Sequence, residues 1–340
     1  MNSGSPGRMM PESFSYRESG VDITREAEGI AALVAALTFR RKAPVSMMGG
    51  VGHYAGLIEC GKKALALTVD GVGTKMLVAD RMKDWGTVGI DCIAMNVNDL
   101  YVMNIEPVAF VDYIAADEIS LEKMAQIGQG LNEGARLANI DIVGGETATL
   151  KGLVHGIDLA GTCLGIQNKE HIVSGEKIQP GDIIIGVPSS GIHSNGLTLA
   201  RKVVEAQDAW EEHLGTGRTI GQELLVPTRI YAEVLEVCRK AAVSGMCHIT
   251  GGGLLNFNRL TRYGFNINKP LPPPEIFRWI QEKGAVDVHE MYRTFNMGMG
   301  FAFIAPEKSY PAVKEILPDA AIVGSINRER GIWLKGEPFS

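Results

Sequence analysis

The chain has 340 residues, 45% of them hydrophobic and 21% charged, so two domains are expected and the core needs neither disulfides nor a structural metal. Lys and Arg number 33 against 39 Asp and Glu, a formal charge of −6. That balance excludes wholesale attraction to nucleic acid or anionic lipid, while leaving room for a local basic pocket around one phosphorylated metabolite.

Cys60, Cys92, Cys163, Cys238 and Cys247 are widely spaced and contain no Cys-x-x-Cys pair, which argues against a disulfide framework or a four-thiolate zinc site. No apolar run suits a signal peptide or a membrane span, so a cytoplasmic protein is expected. Residues 1–15 read as a flexible tail, 16–170 as a first domain and 171–340 as a second.

In chain order, Ala64 to Val69 reads as a strand that ends in Asp70-Gly71-Val72-Gly73-Thr74-Lys75. Gly86 to Val102 is an apolar helix, and Val108 to Ala115 a second strand. Ser120 starts a helix with an apolar stripe through Met124, Ile127, Leu131 and Ala135. Ile140 to Val143 is a short strand closed by Gly144-Gly145-Glu146-Thr147, and Ile157 to Ile166 ends the first unit. After a polar stretch and the Pro180-Gly181 turn, Asp182 to Val187 is a strand, followed by a Ser-Gly-His-Asn loop and a helix from Leu197. A helix from Gln222 to Val243 follows, then a triple-glycine turn, a strand near Gly264 to Asn268, and three prolines ahead of a helix through Trp279. Gly300 to Ala305 and Ala320 to Ile326 are strands flanking a helix from Ser309 to Leu317. The alternation is too irregular for a (β/α)₈ barrel, and two α+β domains are expected.

Two near-matches fail. Gly56 to Lys62 has Walker A spacing, but Lys63 stands where a Ser or Thr must reach Mg²⁺. Gly50-Val51-Gly52 opens like a dinucleotide fingerprint, yet Ala55 occupies the third glycine position and no strong strand precedes it. More informative is Asp70, a strand-end carboxylate suited to Mg²⁺, followed by Gly71 and Gly73, whose N–H groups can approach phosphate, and by Lys75 as a point charge. Asp91 and Asn98 are seven apart and share a helix face, with Asp99 beside them. With Glu146, Asp70 and Asp99 would form an oxygen-rich cage for Mg²⁺ carrying polyphosphate, if they converge. In the second half, the loop Ser189 to Gly196 offers hydroxyls, an amide and the imidazole of His193, and Gly251-Gly252-Gly253 before Leu254 suits an anion. His289-Glu290 lacks the second histidine of a zinc helix, since Arg293 stands there.

The ordered set of motifs resembles the phosphoribosylformylglycinamidine cyclo-ligase family. Its pieces are Tyr16 to Asp22, Asp70 to Lys75, Gly89 to Leu100, Gly144 to Thr147, Ser189 to Gly196, Pro227 to Tyr231, His248 to Gly253 and His289 to Asn296. The resemblance implies ATP-dependent closure of an aminoimidazole ring on a phosphoribosyl substrate, with Mg²⁺. It also implies a homodimer whose N-terminal β-rich domains meet in a barrel-like interface, each followed by a mixed α/β domain. Carried over by motif, Asp70, Asp99 and Glu146 resemble metal carboxylates, and His193, Asp70 and Lys75 resemble catalytic groups. Gly71, Gly73, Thr74, Asn98, Asp99, Gly144 and Gly145 resemble nucleotide contacts, with one of Arg40, Arg41 and Lys42, assigned here to Lys42. Ser190, Ser194, Asn195, Thr250, Gly251, Gly252 and Gly253 resemble substrate contacts. Departures fall at His53-Tyr54 and at Leu254, where the family usually carries other residues. Another ATP-dependent member of the superfamily, or a nucleotide-binding dimer without turnover, are the competing readings.

Overall fold

The computed structural model describes Phe14 and residues 23–39, 41, 45–49 and 54–339. Lys42, Arg40, His53 and the Tyr16 to Asp22 motif lie outside the described residues.

The first unit runs α1 (Ile23–Ala36), β1 (Met47–Met48), β2 (Gly56–Cys60), β3 (Lys63–Gly71), α2 (Lys75–Met82), α3 (Val88–Tyr101), β4 (Glu106–Ala116), α4 (Leu121–Ala138), β5 (Asp141–Thr149) and β6 (Ile157–Asn168). Its six-stranded sheet has the order β1-β2-β3-β6-β4-β5, antiparallel throughout except for the parallel pair of β4 and β5. On β3 the buried positions Ala64, Ala66 and Thr68 alternate with Leu65, Leu67 and Val69, so one face packs under α3 and the other stays open. Helices α3 and α4 approach closely because Gly89 and Gly130 face each other; a Cβ on Gly89 would lie 2.2 Å from the Leu131 nitrogen. Ser120 caps α4 by accepting from the Lys123 N–H, as the sequence predicts.

The second unit runs β7 (Ile183–Pro188), α5 (Leu197–Gln207), α6 (Ile220–Leu224), α7 (Val234–Lys240), β8 (Gly245–His248), β9 (Gly264–Ile267), α8 (Glu275–Lys283), α9 (Val288–Thr294), β10 (Met299–Ala305), α10 (Tyr310–Ile316), β11 (Ala321–Asn327), β12 (Ile332–Leu334) and β13 (Glu337–Pro338). Its seven-stranded sheet has the order β13-β12-β9-β11-β7-β10-β8. β7 and β10 are buried along nearly their whole length, which matches their near-continuous apolar sequence.

Three expectations are corrected. The barrel-like interface fails, because among the described residues neither sheet closes: β1 and β5 are free edges of the first, β13 and β8 of the second. The two-domain α/β architecture holds without it. The short strand expected at Ile140 to Val143 continues through Gly144-Gly145-Glu146-Thr147 as β5, because Gly145 lies against the Asp112 carboxylate of β4, leaving no room there for a Cβ. The single helix expected from Gln222 to Val243 is instead α6 and α7 with a non-helical link between them. Pro227 lacks the N–H that a continuous helix needs, and the link bonds to α3 instead.

Candidate functional site

β3 delivers Asp70 to the helix-covered side of its sheet, where its Oδ1 accepts the Gly71 N–H at 2.8 Å. Burial, and then the charge of Asp99, push the Asp70 carboxyl up from 3.8 to about 6. Asn96 of α3 fixes this strand end by donating to the Asp70 carbonyl at 3.2 Å and to the Cys92 carbonyl at 2.9 Å.

One side of α3 is apolar and packs on the sheet and α4, while the other carries Asp91, Asn98 and Asp99 against the second unit. Asn98 donates to the Arg229 carbonyl at 2.8 Å and accepts the Tyr231 N–H at 3.0 Å. Asp99 Oδ1 is 2.9 Å from Nδ1 of the buried His248, at the end of β8. Asp91 Oδ1 accepts the Thr228 N–H at 2.7 Å, the Thr228 hydroxyl at 2.6 Å and the Ser194 hydroxyl at 3.0 Å. The α3 polar stripe read from its spacing is therefore a seam between the two units.

On the opposite wall, His193 is fully buried and adopts a left-handed backbone at φ 63°. Its Nε2 accepts the Ser190 N–H at 3.3 Å, so in the neutral ring the proton sits on Nδ1, which has no hydrogen-bond partner among the described residues. Burial, then the nearby His248, Lys75 and Arg229, hold its pKa well below the usual imidazole value. Asn296 clamps the start of this loop, donating to the Gly191 and Ile192 carbonyls at 3.0 and 3.3 Å and accepting from Ser189 at 3.0 Å. The Tyr231 ring lies between His193 and His248, 6.3 and 6.5 Å from each ring centre. Asn195 Oδ1 lies 3.3 Å from where a Cβ on Gly251 would stand.

Asp70, Asn98, Asp99, His193, Asn195 and Gly251 are thus gathered along the seam between the two units. Others are placed differently. Lys75 is fully buried; its Nζ donates to the Val226 carbonyl at 2.7 Å and lies 2.8 Å from Asp91 Oδ2. Ser194 faces Asp91 and Thr228, and Ser190 donates to the Pro227 carbonyl at 2.6 Å. Gly73, at φ 67°, and Thr74 form the turn into α2, with the Thr74 hydroxyl 3.0 Å from that of Thr198.

Strand register separates Glu146 from Asp70. Asp70 pairs with Gly161, Gly161 with Asp112 and Asp112 with Gly145, one row on the covered face. Glu146 belongs to the neighbouring row with Tyr113, Ala160 and Gly71, on the open face. Three strand spacings, about 14 Å, add to that difference of face. Gly144 shares the open face in the row of Val111, Thr162 and Val69. Among the described residues no three His, Cys, Asp or Glu side chains gather closely enough to hold a metal on their own.

Gly251 to Gly253 turn into a 3₁₀ helix, Gly253–Arg259. Gly252 and Gly253 have φ of 96° and 53°, and a Cβ on Gly253 would lie 1.9 Å from the Tyr292 carbonyl oxygen. Asn256 Nδ2 binds the Thr250, Gly251 and Gly253 carbonyls and so fixes the turn. Thr228, Tyr231, His248 and Asn296 were given no site role from the sequence. Thr228, Tyr231 and Asn296 meet partners 137, 133 and 105 residues away, so no local spacing reveals them.

Comparison with known proteins decides the family. Residues 52–167 match the model of the AIR synthase related protein N-terminal domain, and residues 179–335 match that of its C-terminal domain. The chain belongs to the AIR synthase related family. It is similar to the phosphoribosylformylglycinamidine cyclo-ligase of Methanosarcina barkeri, with 51% identity over 331 residues, 96% of this chain and 98% of that one. The protein of that name from Pyrococcus horikoshii is 47% identical over 308 residues, 89% of this chain and 91% of its own. The AIR synthase related fold also appears at low identity. A thiamine monophosphate kinase from Aquifex aeolicus superposes with a TM-score of 0.65 at 17% identity, covering 94% of this chain and 99% of that chain. The hydrogenase maturation protein HypE of E. coli gives a TM-score of 0.61 at 18% identity, covering 79% and 81%. In this family member the seam, the His193 loop and the Asp70 turn all fall within the two matched domains.

Proposed function

We infer that the chain is a phosphoribosylformylglycinamidine cyclo-ligase. It converts the formylglycinamidine ribonucleotide to 5-aminoimidazole ribonucleotide, with ATP split to ADP and phosphate, in purine biosynthesis. The observation that carries this is the near-full-length match, half of the residues being identical to cyclo-ligases, together with the interdomain seam along which the motif residues Asp70, Asn98, Asp99, His193 and Asn195 gather.

Magnesium–ATP supplies the phosphoryl group that turns the formyl amide oxygen into a leaving group, after which the amidine nitrogen closes the five-membered ring. Asp70 and Asp99 suit the metal. Burial and mutual repulsion raise Asp70, an arrangement that a shared divalent cation relieves, and Mg²⁺ commonly takes one or two carboxylates with the rest of its shell from phosphate and water. Glu146 belongs to no such pair within one chain. His193 acts as a neutral hydrogen-bond donor through Nδ1 rather than as a base, since its Nε2 already accepts the Ser190 N–H. A donor held in a dry wall stabilises charge developing on the amide oxygen without reorganising. Lys75, paired with Asp91, acts as a structural cation and not as a phosphate contact.

The open face of the first sheet supports a homodimer. Leu67, Val69, Val111 and Tyr113 are exposed there, Val69 at 75%, on a surface too apolar for a solvated monomer. The decisive assay incubates the purified chain with formylglycinamidine ribonucleotide, ATP and Mg²⁺ and follows aminoimidazole ribonucleotide and phosphate together. One ring per ATP, with no glutamine required, is expected. Phosphate release without ring closure refutes the reading.

A further inference from the structure

Four hydrogen-bonding or charged groups from two units converge on one carboxylate that is itself closed to solvent. Asp91 and Lys75 both have 0% exposed side chains, so both are closed to solvent. Asp91 stands in the first turn of α3, and Lys75 opens α2 just beyond the Asp70 turn. The Asp91 Oδ1 accepts from Lys75 at 3.0 Å as well as from Thr228 twice and Ser194 once. Lys75 in turn donates to the Val226 carbonyl, two residues before Thr228.

These bonds act on the His193 loop. His193 is a non-glycine residue in the left-handed region, a conformation that persists only where its surroundings hold it. Asn296 holds the loop before His193, at Gly191 and Ile192. Ser194 holds it immediately after, through its hydroxyl to Asp91 and Thr228. Between these two anchors stands the imidazole, and the Asn195 amide follows directly after the second.

We propose that Asp91, with Lys75 as its counter-ion, is a positioning residue that sets Ser194 and Thr228 from the other domain and thereby the His193 imidazole. This deepens the cyclo-ligase reading, and its kinetic arm rests on that reading. The pair differs in kind from Asp99, whose side chain is 22% exposed, and from Asp70, whose carboxylate accepts from its own turn. Its chemistry is that of an acceptor: a carbonyl oxygen at the same place keeps the three bonds to Ser194 and Thr228, and an alkyl group loses them.

The test uses two full-length double variants that each remove both charges together, which avoids stranding either one. Lys75→Met with Asp91→Asn retains an amide oxygen for Thr228 and Ser194. Lys75→Met with Asp91→Leu retains none. Misplacing a reacting constellation by about 1 Å costs on the order of 100-fold, so kcat should fall about 100-fold in the leucine pair, with KM for ATP and substrate moving far less. The asparagine pair should stay within about tenfold of the wild type. Nitrogen-15 histidine spectra without substrate supply a readout independent of activity. The wild type and the asparagine pair should show His193 protonated at Nδ1 only, and the leucine pair a mixture of tautomers. Equal kcat in the two pairs, or an unaltered His193 signal in the leucine pair, overturns the proposal. If the pairs do not fold, Ser194→Ala and Thr228→Val each delete one hydroxyl and should lower kcat about tenfold at nearly constant KM; wild-type kcat in both overturns it equally. A wild type that makes no aminoimidazole product defeats the cyclo-ligase reading alone, and the histidine spectra then decide the positioning role.

Discussion

Asp70 offers a measurement in which sign and size both follow from its surroundings. Its carboxyl is raised from 3.8 to about 6, first by burial and then by the charge of Asp99. A carboxyl whose folded pKa exceeds its unfolded value favours folding when protonated. That contribution is complete below about pH 3.8 and is lost as pH rises through about 6. The interval corresponds to about 3 kcal/mol, taken as an upper figure. Asp70→Asn keeps the size of the side chain and the acceptor for Gly71 while removing the titration. Urea unfolding of both proteins between pH 4 and pH 8, in chelator, should show the wild type losing up to about 3 kcal/mol relative to the variant. The same group reports on metal. Binding of preformed magnesium–ATP at pH 6 should release about half a proton more from the wild type than from Asp70→Asn, read as the buffer dependence of the calorimetric heat. A stability difference that does not change with pH refutes the raised carboxyl. Equal proton release from both proteins removes Asp70 from the metal site.

Two further outcomes follow from packing. A Cβ on Gly300 would lie 2.1 Å from the Tyr231 hydroxyl and 2.6 Å from His193 Cε1. Gly300→Ala should therefore cost about 1–3 kcal/mol in unfolding and lower kcat, whereas wild-type turnover would mean that neither ring position matters. Light scattering at micromolar protein should give a dimer mass that Val69→Lys shifts toward monomer, and a monomeric wild type refutes the docking of the open sheet face on a second copy.

The sequence made the strands legible wherever one face was buried. β3 and β6 alternate in burial, and β7 and β10 carry near-continuous apolar runs; both patterns set their bounds to within about two residues. The α3 polar stripe was legible too, because Asp91 and Asn98 lie two turns apart. What it meets was not, since Thr228 and Tyr231 reach it through a non-helical link that an apolar pattern disguised as helix. Pro227 was the available signal. Glu146 illustrates the opposite failure. A strand-side carboxylate beside two glycines resembles a phosphate turn in one dimension. Only the register, with Gly145 facing Asp112, shows that the glycines accommodate a neighbouring side chain and that Glu146 points to the open face.

The same seam constrains how the cleft can work. Separating the two units along α3 would break the bonds of Asn98 to Arg229 and Tyr231, of Asp99 to His248, and of Asp91 to Ser194 and Thr228. Lys75 would lose the Val226 carbonyl at the same time. Removing one partner from a buried ionic cluster typically costs about 3–5 kcal/mol, and several such bonds would fail together. The seam is therefore a bonded wall between the two units. His193, Asp70 and Asp99 keep their relative positions through the cycle because the elements carrying them are bonded to one another. Water exclusion then falls to parts of the molecule outside α3 and the link at residues 226–231.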